Sequence, residues 1–577
     1  MKKIELRHRL YAPVILCALP FAAFSCVDSE YDIDKPFDMT VNFLKDAAFP
    51  VGNVKKLYLK DILLGTDETL VGTSADGDYY LTFVQGQMDT EIKVPSFEYG
   101  GFTKNVQIVP ELTKAADSGR ISGTFDFGTI HFNCNMESHD LPEEVTGLKR
   151  CEVVSSIQLS LQTAPGQGLI TLPSGAEIRF PEFLVIAPGL QEGISKTGPN
   201  VFTTTRDFPI ANSVDFIFPV EAIDFEAVPD GEGLLAPGHF KMTADILLSG
   251  SVRVDNIQTG AFPDITGKLK LNPARFVMAV AKLSKETEIP VSPVMVGDLP
   301  EFLNGENLVL DLQGLRLDMA VENTFPLGGN MRAGIRTSGT SGTLASVALG
   351  PVHFSAPALG QTARSAFSFS QSGTGAPQGY ADVRTADFDN LLRIIPQQVG
   401  IYGMTVSVDD TYAEIGFGMP YKISADYSLA SPLAFGKDVE MSFVQDMTGL
   451  GIDLSDFGLT KAQLTLDAVS SVPLEFSLQA EAIDAGANVI SGIDVLLEGK
   501  IIAGSLDNPS ESKLILNLSA EGADVAFDGL RLRMSTISGG PSLAGIPLNE
   551  AQGIEMKNLV LRVPEGITLD LGGDEDE

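Results

Sequence analysis

The sequence predicts a mainly β protein made of tandem antiparallel β-sandwich-like units with one or two short helices. Apolar and polar residues alternate with a period of two, as in segments 268–271 and 464–467, which is typical of half-buried strands. The 57 glycines and 33 prolines supply frequent turns, while patterns with helical spacing are sparse. The Phe-rich run 207–225 leaves open an alternative, a curved-sheet fold similar to the tubular lipid-binding proteins.

The first 25 residues have the layout of a secretory signal peptide. Four basic residues precede an apolar run over 11–24 that is too short to span a bilayer as a helix. They are Lys2, Lys3, Arg7 and Arg9. We therefore expect residues 1–25 to be removed and the mature chain to begin at Cys26.

Cys26 closes the stretch AAFSC, which resembles the lipobox of bacterial lipoproteins. That resemblance implies that the Cys26 thiol carries acyl chains such as palmitate, which would hold the protein on a membrane. The alternative is an unlipidated periplasmic or secreted protein. An acidic tether over 26–35 follows, and its carboxylates resemble the surface-export signal of Bacteroidetes lipoproteins. These carboxylates belong to Asp28, Glu30, Asp32 and Asp34.

An N-terminal β unit is expected over 36–120 and a second β unit over 121–300. Within the first, the motif ADGDYY places Asp76 and Gly77 at a hairpin turn. The adjacent Tyr79 and Tyr80 should point to opposite faces of the following strand, because side chains alternate along a strand.

Cys134 and Cys151 are the two cysteines of the mature body. A disulfide between them would close a loop of about 17 residues and contribute about 3 kcal/mol, and two buried free thiols are the alternative. His131 and His139 lie nearby, but these residues lack the paired spacing typical of zinc ligands. We therefore expect no metal site.

Two local patterns stand out in the following unit. Apolar residues change parity at Gly314 between 308–312 and 315–321, which predicts a β-bulge that keeps both halves on one core. Segment 387–395 has an acidic first turn, apolar residues at helical spacing and Pro396 directly after it. It predicts one short amphipathic helix.

An internal repeat with an offset of 147 residues links two parts of the chain. The segment starting at Gly314 aligns with the one starting at Lys461, and Phe367 and Phe369 fall on Leu514 and Leu516. We expect a first β repeat over 301–435 and a second over 436–571, followed by an acidic tail over 572–577.

These features together are similar to the large surface-exposed lipoproteins of Bacteroidetes. The resemblance is carried by the lipobox, the acidic tether, ADGDYY, the strand SVPLEFSLQAEAIDAG and the terminal VPEGITLDL. The resemblance implies a location on the cell surface and a β architecture, and it implies no activity.

The sequence contains no local motif of hydrolases, zinc proteases, phosphate-binding loops or dinucleotide-binding folds. We therefore expect no enzyme, no catalytic residue and no cofactor. A formal net charge of −35 would repel nucleic acid. Calcium is a weaker hypothesis for the pairs Asp76 with Asp78 and Asp409 with Asp410, which fit turns and strand ends better.

The expected role is a noncatalytic, lipid-anchored binding, accessory or structural protein of the outer membrane that faces the cell exterior. Its partners would be the membrane, through the acyl chains, and an outer-membrane protein complex or a glycan. Two alternatives remain, an envelope lipid-binding protein and a glycan-binding protein of a nutrient-uptake system. The lack of Trp weakens the glycan alternative, because sugar rings stack on flat aromatic side chains.

Overall fold

A computed structural model describes the chain in segments, and the fold below refers to these. They are residues 40–43, 47–52, 56–60, 71–110, 119–164, 169–258, 264–296, 308–448, 452–453, 461–520, 526–538, 543–564 and 567–570. Strands dominate the described residues, and antiparallel pairing joins nearly all of them. This architecture confirms the predicted mainly β, sandwich-like fold class.

The N-terminal segment, residues 40–108, contributes seven strands. They are β1 (Thr40–Phe43), β2 (Ala47–Gly52), β3 (Leu57–Tyr58), β4 (Val71–Thr73), β5 (Tyr79–Lys93), β6 (Glu98–Tyr99) and β7 (Phe102–Ile108). Unlike the strands that follow, these do not form a unit of their own.

Unit A follows as a two-sheet sandwich. Its strands are β8 (Arg120–Ser138), β9 (Val145–Thr163), β10 (Leu169–Leu172), β11 (Glu177–Arg179), β12 (Leu184–Ile186), β13 (Ile194–Gly198), β14 (Val201–Thr204), β15 (Phe208–Ile210), β16 (Ser213–Asp224), β17 (Gly233–Ala236), β18 (His239–Gln258), β19 (Ile265–Leu271) and β20 (Ala274–Leu283). A 3₁₀ helix at Phe225–Ala227 follows β16.

Unit B contains the next ten strands. They are β21 (Glu286–Ile289), β22 (Val294–Met295), β23 (Arg316–Asn323), β24 (Gly329–Gly339), β25 (Gly342–Phe354), β26 (Ala363–Ser370), β27 (Ala381–Arg384), β28 (Gln398–Val408), β29 (Ala413–Gly416) and β30 (Pro420–Pro432). A 3₁₀ helix lies at Phe388–Leu392. Because β21 pairs with β28, the sheet pairing of unit B begins at Glu286, before the predicted boundary at residue 301.

Unit C contains the remaining strands. They are β31 (Ser442–Met447), β32 (Ile452–Asp453), β33 (Lys461–Ser470), β34 (Phe476–Ile483), β35 (Ile493–Glu498), β36 (Lys500–Ile501), β37 (Ser510–Ala520), β38 (Ala526–Phe527), β39 (Gly529–Thr536), β40 (Gly553–Val563) and β41 (Ile567–Asp570).

All three units share one strand order. In the first sheet of each unit, a central strand lies between two later strands, in the orders β16-β9-β19, β26-β23-β30 and β37-β33-β40. The second sheets have the orders β14-β11-β18-β8, β25-β24-β28-β21 and β36-β34-β39-β31. Units A, B and C are therefore three copies of the same topology.

The pairing register of units B and C follows the 147-residue offset seen in the sequence. Leu317 of β23 pairs with Phe369 of β26, and the equivalent Leu464 of β33 pairs with Leu516 of β37. Matching registers place equivalent apolar side chains on the same core face in both units. Unit A shares this strand order, although its sequence is only weakly similar to the repeat found in units B and C.

The N-terminal segment adds at least one antiparallel strand to the first sheet of every unit. Strand β7 pairs with β19 of unit A, β5 with β30 of unit B and β2 with β40 of unit C. The predicted separate unit over 36–120 is therefore wrong for the described residues. The alternation after the ADGDYY turn predicts β5 correctly, but the partner of this strand, β30, lies more than 300 residues away.

Buried apolar residues form a core that continues through the three units. Between the sheets of unit A, the ring of Phe202 on β14 lies 5.4 Å from that of Phe218 on β16. Strand β29 of unit B joins β20 of unit A. The Phe417 ring lies 5.1 Å from that of Phe97 in the N-terminal segment, and Phe97 stacks on Phe276 of β20 at 4.0 Å. These contacts join unit A to unit B.

Units B and C meet where β5 begins. The Tyr79 amide donates a hydrogen bond to the Leu548 carbonyl at 2.8 Å, and the Leu548 amide donates to the Leu433 carbonyl at 2.8 Å. Tyr79 is fully buried at this junction. Unit B therefore contacts both of its neighbours through backbone hydrogen bonds.

Two local predictions need correction. The parity change at Gly314 does place Leu312 and Leu317 in one core, and Gly314 has a positive φ of 81°. The element is a bend before β23 rather than a bulge, because 308–312 forms only isolated bridges, such as Leu312 with Phe435. The predicted amphipathic helix is a 3₁₀ helix at Phe388–Leu392 that buries Phe388, Leu391 and Leu392.

We predict that replacing Leu81 by Ala destabilises unit B. Leu81 is 1% exposed on β5, and loss of a buried leucine side chain costs about 2–5 kcal/mol. The measurement is the urea concentration at the midpoint of unfolding of the full chain. Gln85→Ala, an exposed position on the same strand, is the control and should stay within about 0.5 kcal/mol of the wild type. Equal midpoints for the two variants would contradict the packing of β5 into unit B.

Candidate metal-binding site on unit A

The outer face of the long ribbon formed by β8 and β18 carries polar side chains. Residues 132, 134 and 136 of β8 are buried, whereas the odd-numbered residues between them are exposed. Strand β18 shows the same alternation near its start. Because side chains alternate along a strand, the outward residues of both strands line up as cross-strand pairs.

The register brings polar residues from distant parts of the chain together. Lys241 lies opposite Glu137, and Thr243 lies opposite Asn135. One step further along, Phe240 lies opposite Ser138, so His239 at the start of β18 neighbours His139 just beyond the end of β8.

Glu137, His139 and His239 form a compact cluster at this end of the ribbon. His239 Nε2 lies 3.2 Å from Glu137 Oε1, and His139 Nε2 lies 3.9 Å from the same oxygen. The two imidazole rings stack with centroids 4.2 Å apart and planes inclined by 4°. The candidate ligand atoms all lie within 4.8 Å of one another.

Imidazole nitrogen and carboxylate oxygen are the ligand types that bind Zn²⁺ and related ions. Glu137 also contacts Lys241, whose Nζ lies 3.7 Å from the other carboxylate oxygen, Oε2. The carboxylate can therefore keep an ion pair through Oε2 while Oε1 faces the two imidazoles.

A separate histidine contact lies further along the same face. His131 Nδ1 lies 2.8 Å from Asp245 Oδ2, and Asn133 donates a hydrogen bond of 3.4 Å to Asp245 Oδ1. His131 therefore has a single carboxylate partner and does not join the cluster that contains His139.

Cys134 and Cys151 are free and buried, so the disulfide considered from the sequence is not formed. Cys134 lies on β8 and Cys151 on β9, in the two facing sheets of unit A. Facing sheets lie about 10 Å apart, whereas a disulfide needs Cα atoms within about 4.4–6.8 Å. Burial raises the pKa of Cys134 to about 12, and burial also raises the pKa of Cys151.

The acidic pairs considered for calcium make other contacts. Asn549 Nδ2 donates hydrogen bonds of 2.9 Å to the Asp76 carbonyl and to Asp78 Oδ1, which fixes the ADGDYY turn against unit C. Asp409 Oδ2 lies 2.8 Å from His353 Nε2, and Asp410 forms an ion pair with Lys282 at 2.9 Å. These contacts account for the carboxylates of Asp78, Asp409 and Asp410 as structural groups.

Three exposed tyrosines bear on the glycan alternative. As predicted, Tyr79 is buried and Tyr80 is 38% exposed, and the Tyr80 ring lies directly over Gly72. Tyr402 and Tyr412 cover Gly334 and Gly147 in the same way. An aromatic ring over a strand glycine stabilises the sheet, so these rings have a structural role.

The lipid-binding alternative requires an apolar cavity that can hold an acyl chain. Between the two sheets of unit B, Leu317 and Leu429 face Ile335 and Val399 across a cavity of about 10 Å³. A cavity of this size holds about one water molecule. It gives the lipid alternative no support.

Carboxylates with a shifted pKa do not converge on one cleft in the described residues. The backbone N–H of Ser174 and the guanidinium of Arg253 lower the pKa of Asp207 in unit A. Burial raises the pKa of Asp389 in unit B, and Arg531 lowers that of Asp446 in unit C. Each of these carboxylates has structural partners, whereas an active site usually gathers several shifted groups.

Cys26 and the carboxylates of Asp28, Glu30, Asp32 and Asp34 lie outside the described residues, so their assignments remain predictions. Within the described part of the chain, no helix has the length and apolar character needed to cross a membrane.

Sequence reasoning missed His239 as a partner of His139. The sequence places His139 near His131, which is close along the chain, and it predicts no metal site. Only the pairing of β8 with β18 brings His239 beside Glu137, about one hundred residues away in sequence. In the sequence, the one relevant signal is that His139 and His239 each lie at the end of a stretch in which apolar and polar residues alternate.

Comparisons with known proteins return little. Neither the scan against protein-family models nor the search of curated proteins finds a match. Among solved structures, the chain is similar to the crystal structure of a "putative secreted protein" from Parabacteroides distasonis, with 14% identity and a TM-score of 0.33. The match covers 48% of this chain and 82% of that one, and likeness at this level carries no functional argument.

We predict that Cys134 and Cys151 resist alkylation in the native protein and react after unfolding without a reductant. Both thiols are at most 1% exposed, and the thiolate is the reactive form. Mass spectrometry after iodoacetamide treatment, with and without urea, measures this. Labelling in urea only after a reductant is added would instead indicate a disulfide.

Proposed function

We propose that the chain is a noncatalytic, lipid-anchored protein of the outer-membrane surface that acts as a binding, accessory or structural component. In this proposal, acyl chains on Cys26 hold it in the membrane, and the acidic tether directs it to the outer face. An outer-membrane protein complex is the proposed partner.

The path of the N-terminal segment is the observation that carries this proposal. Strand β1 pairs with β41 of unit C, β2 joins unit C, β5 joins unit B, and β7 joins unit A. The chain thus enters the fold at unit C and reaches unit A last.

An anchor at Cys26 would place unit C next to the membrane. Thirteen residues lie between Cys26 and Thr40, and this stretch spans at most about 50 Å when fully extended. Units B and A would extend the protein from there, joined by the contacts described above. Unit A, with its polar ribbon face, would then be presented to partners.

The charge of the chain favours particular partners. A net charge of −35 disfavours close approach to nucleic acid and to anionic lipid headgroups, and it attracts cationic surfaces. We therefore propose a partner protein with a basic docking surface.

Replacing Cys26 by Ala should release the protein from the membrane fraction, because the acyl chains would have no attachment site. Fractionation of cells followed by immunoblotting measures the distribution. Cys134→Ala is the matched control and should stay in the membrane fraction. Retention of Cys26→Ala in that fraction would reveal another anchor and contradict the proposal.

Replacing the four tether carboxylates together by their amides should move the protein from the cell exterior to the periplasmic face. The substitutions are Asp28→Asn, Glu30→Gln, Asp32→Asn and Asp34→Asn. Protease treatment of intact cells measures exposure, and the variant should become protected while remaining in the membrane fraction. Unchanged digestion would contradict the export role of the tether.

A further inference from the structure

We propose that Glu137, His139 and His239 of unit A form a binding site for a divalent transition metal ion of the Zn²⁺ type. This inference does not depend on the anchoring proposed above. It depends on the geometry of one end of the β8–β18 ribbon.

The ligand atoms are close to the arrangement that Zn²⁺ requires. Bonds of about 2.0–2.2 Å in a tetrahedral site place neighbouring ligand atoms about 3.4 Å apart. The distances from Glu137 Oε1 to the Nε2 atoms of His239 and His139 are 3.2 and 3.9 Å. Shifts well below 1 Å along these two distances would reach the binding geometry.

The backbone holds two of the three ligands in place. Glu137 and His239 belong to paired strands, and the neighbouring pairs Lys241 with Glu137 and Phe240 with Ser138 fix the register. His139 follows directly after β8, and its side chain is 74% exposed. It can therefore turn out of the stacked arrangement to place its nitrogen beside the ion.

The two imidazoles lie close enough together to serve one cation. Their ring centroids are 4.2 Å apart, and a ring nitrogen that carries no hydrogen offers a lone pair to an ion. Glu137 then supplies a negative charge to the ion.

The ligand set determines which ions bind. Two imidazoles and one carboxylate suit Zn²⁺, Cu²⁺ and Ni²⁺, whereas Mg²⁺ and Ca²⁺ prefer sites made of oxygen atoms alone. Three protein ligands leave a fourth position for water or for a group from another molecule. The ion would tie the end of β8 to the start of β18 on the exposed face of unit A.

The test is isothermal titration of Zn²⁺ into the purified full chain after a chelator has stripped it of metal. Excess Mg²⁺ is present throughout so that acidic surface groups are occupied. We expect one Zn²⁺ per chain at the site. His139→Ala and His239→Ala should each weaken binding by at least about tenfold.

His131→Ala is the matched control, because His131 lies on the same ribbon face and contacts a carboxylate, yet is not part of the cluster. It should bind Zn²⁺ as the wild type does. Glu137→Gln keeps the shape of the side chain but removes its charge, and it should also weaken binding. Circular dichroism of each variant checks that the fold is retained.

Three results would overturn the proposal. One is a wild-type chain that binds no Zn²⁺ with a dissociation constant below about 1 mM, which corresponds to only about 4 kcal/mol. Another is wild-type affinity in both His139→Ala and His239→Ala. The third is an equal loss in His131→Ala, which would indicate adventitious binding along the whole ribbon.

Discussion

The fold depends on completing one sheet edge in every unit. Strands β19, β30 and β40 would each expose a row of unpaired N–H and C=O groups if the N-terminal segment were absent, and such edges invite aggregation. Strands β7, β5 and β2 pair with these edges. The same segment also contributes core side chains, among them Leu81 and Ile92 of β5. One continuous stretch of chain thus completes three sandwiches and links their stabilities.

This arrangement has a consequence for folding. Thr40 pairs with Asp570, and the β2–β40 pairing likewise joins opposite ends of the described chain. Such long-range contacts form slowly, because a large loop must close before the contact contributes any stability. The first sheet of unit C is therefore complete only after β40 has been synthesised, whereas pairs such as β24 with β25 can form locally.

Sequence reasoning predicted the strands well and their partners poorly. Alternation with a period of two identified β5, and the 147-residue offset anticipated the equal registers of β23–β26 and β33–β37. Local sequence patterns do not show which distant sheet edge a strand will join. For this reason the sequence alone predicts a separate unit for the N-terminal segment. The cluster of Glu137, His139 and His239 was missed for the same reason, since only the β8–β18 register brings it together.

Hydrogen–deuterium exchange of the full chain tests the central claim most directly. The account predicts that the amides of β5 that point toward β30 exchange as slowly as those of β30. The amides of β2 and β7 that point toward β40 and β19 should likewise match those strands, because paired amides exchange only when the sheet opens. Rapid exchange over residues 79–93 while β30 stays protected would contradict it. That result would mean that unit B folds without a strand from the N-terminal segment.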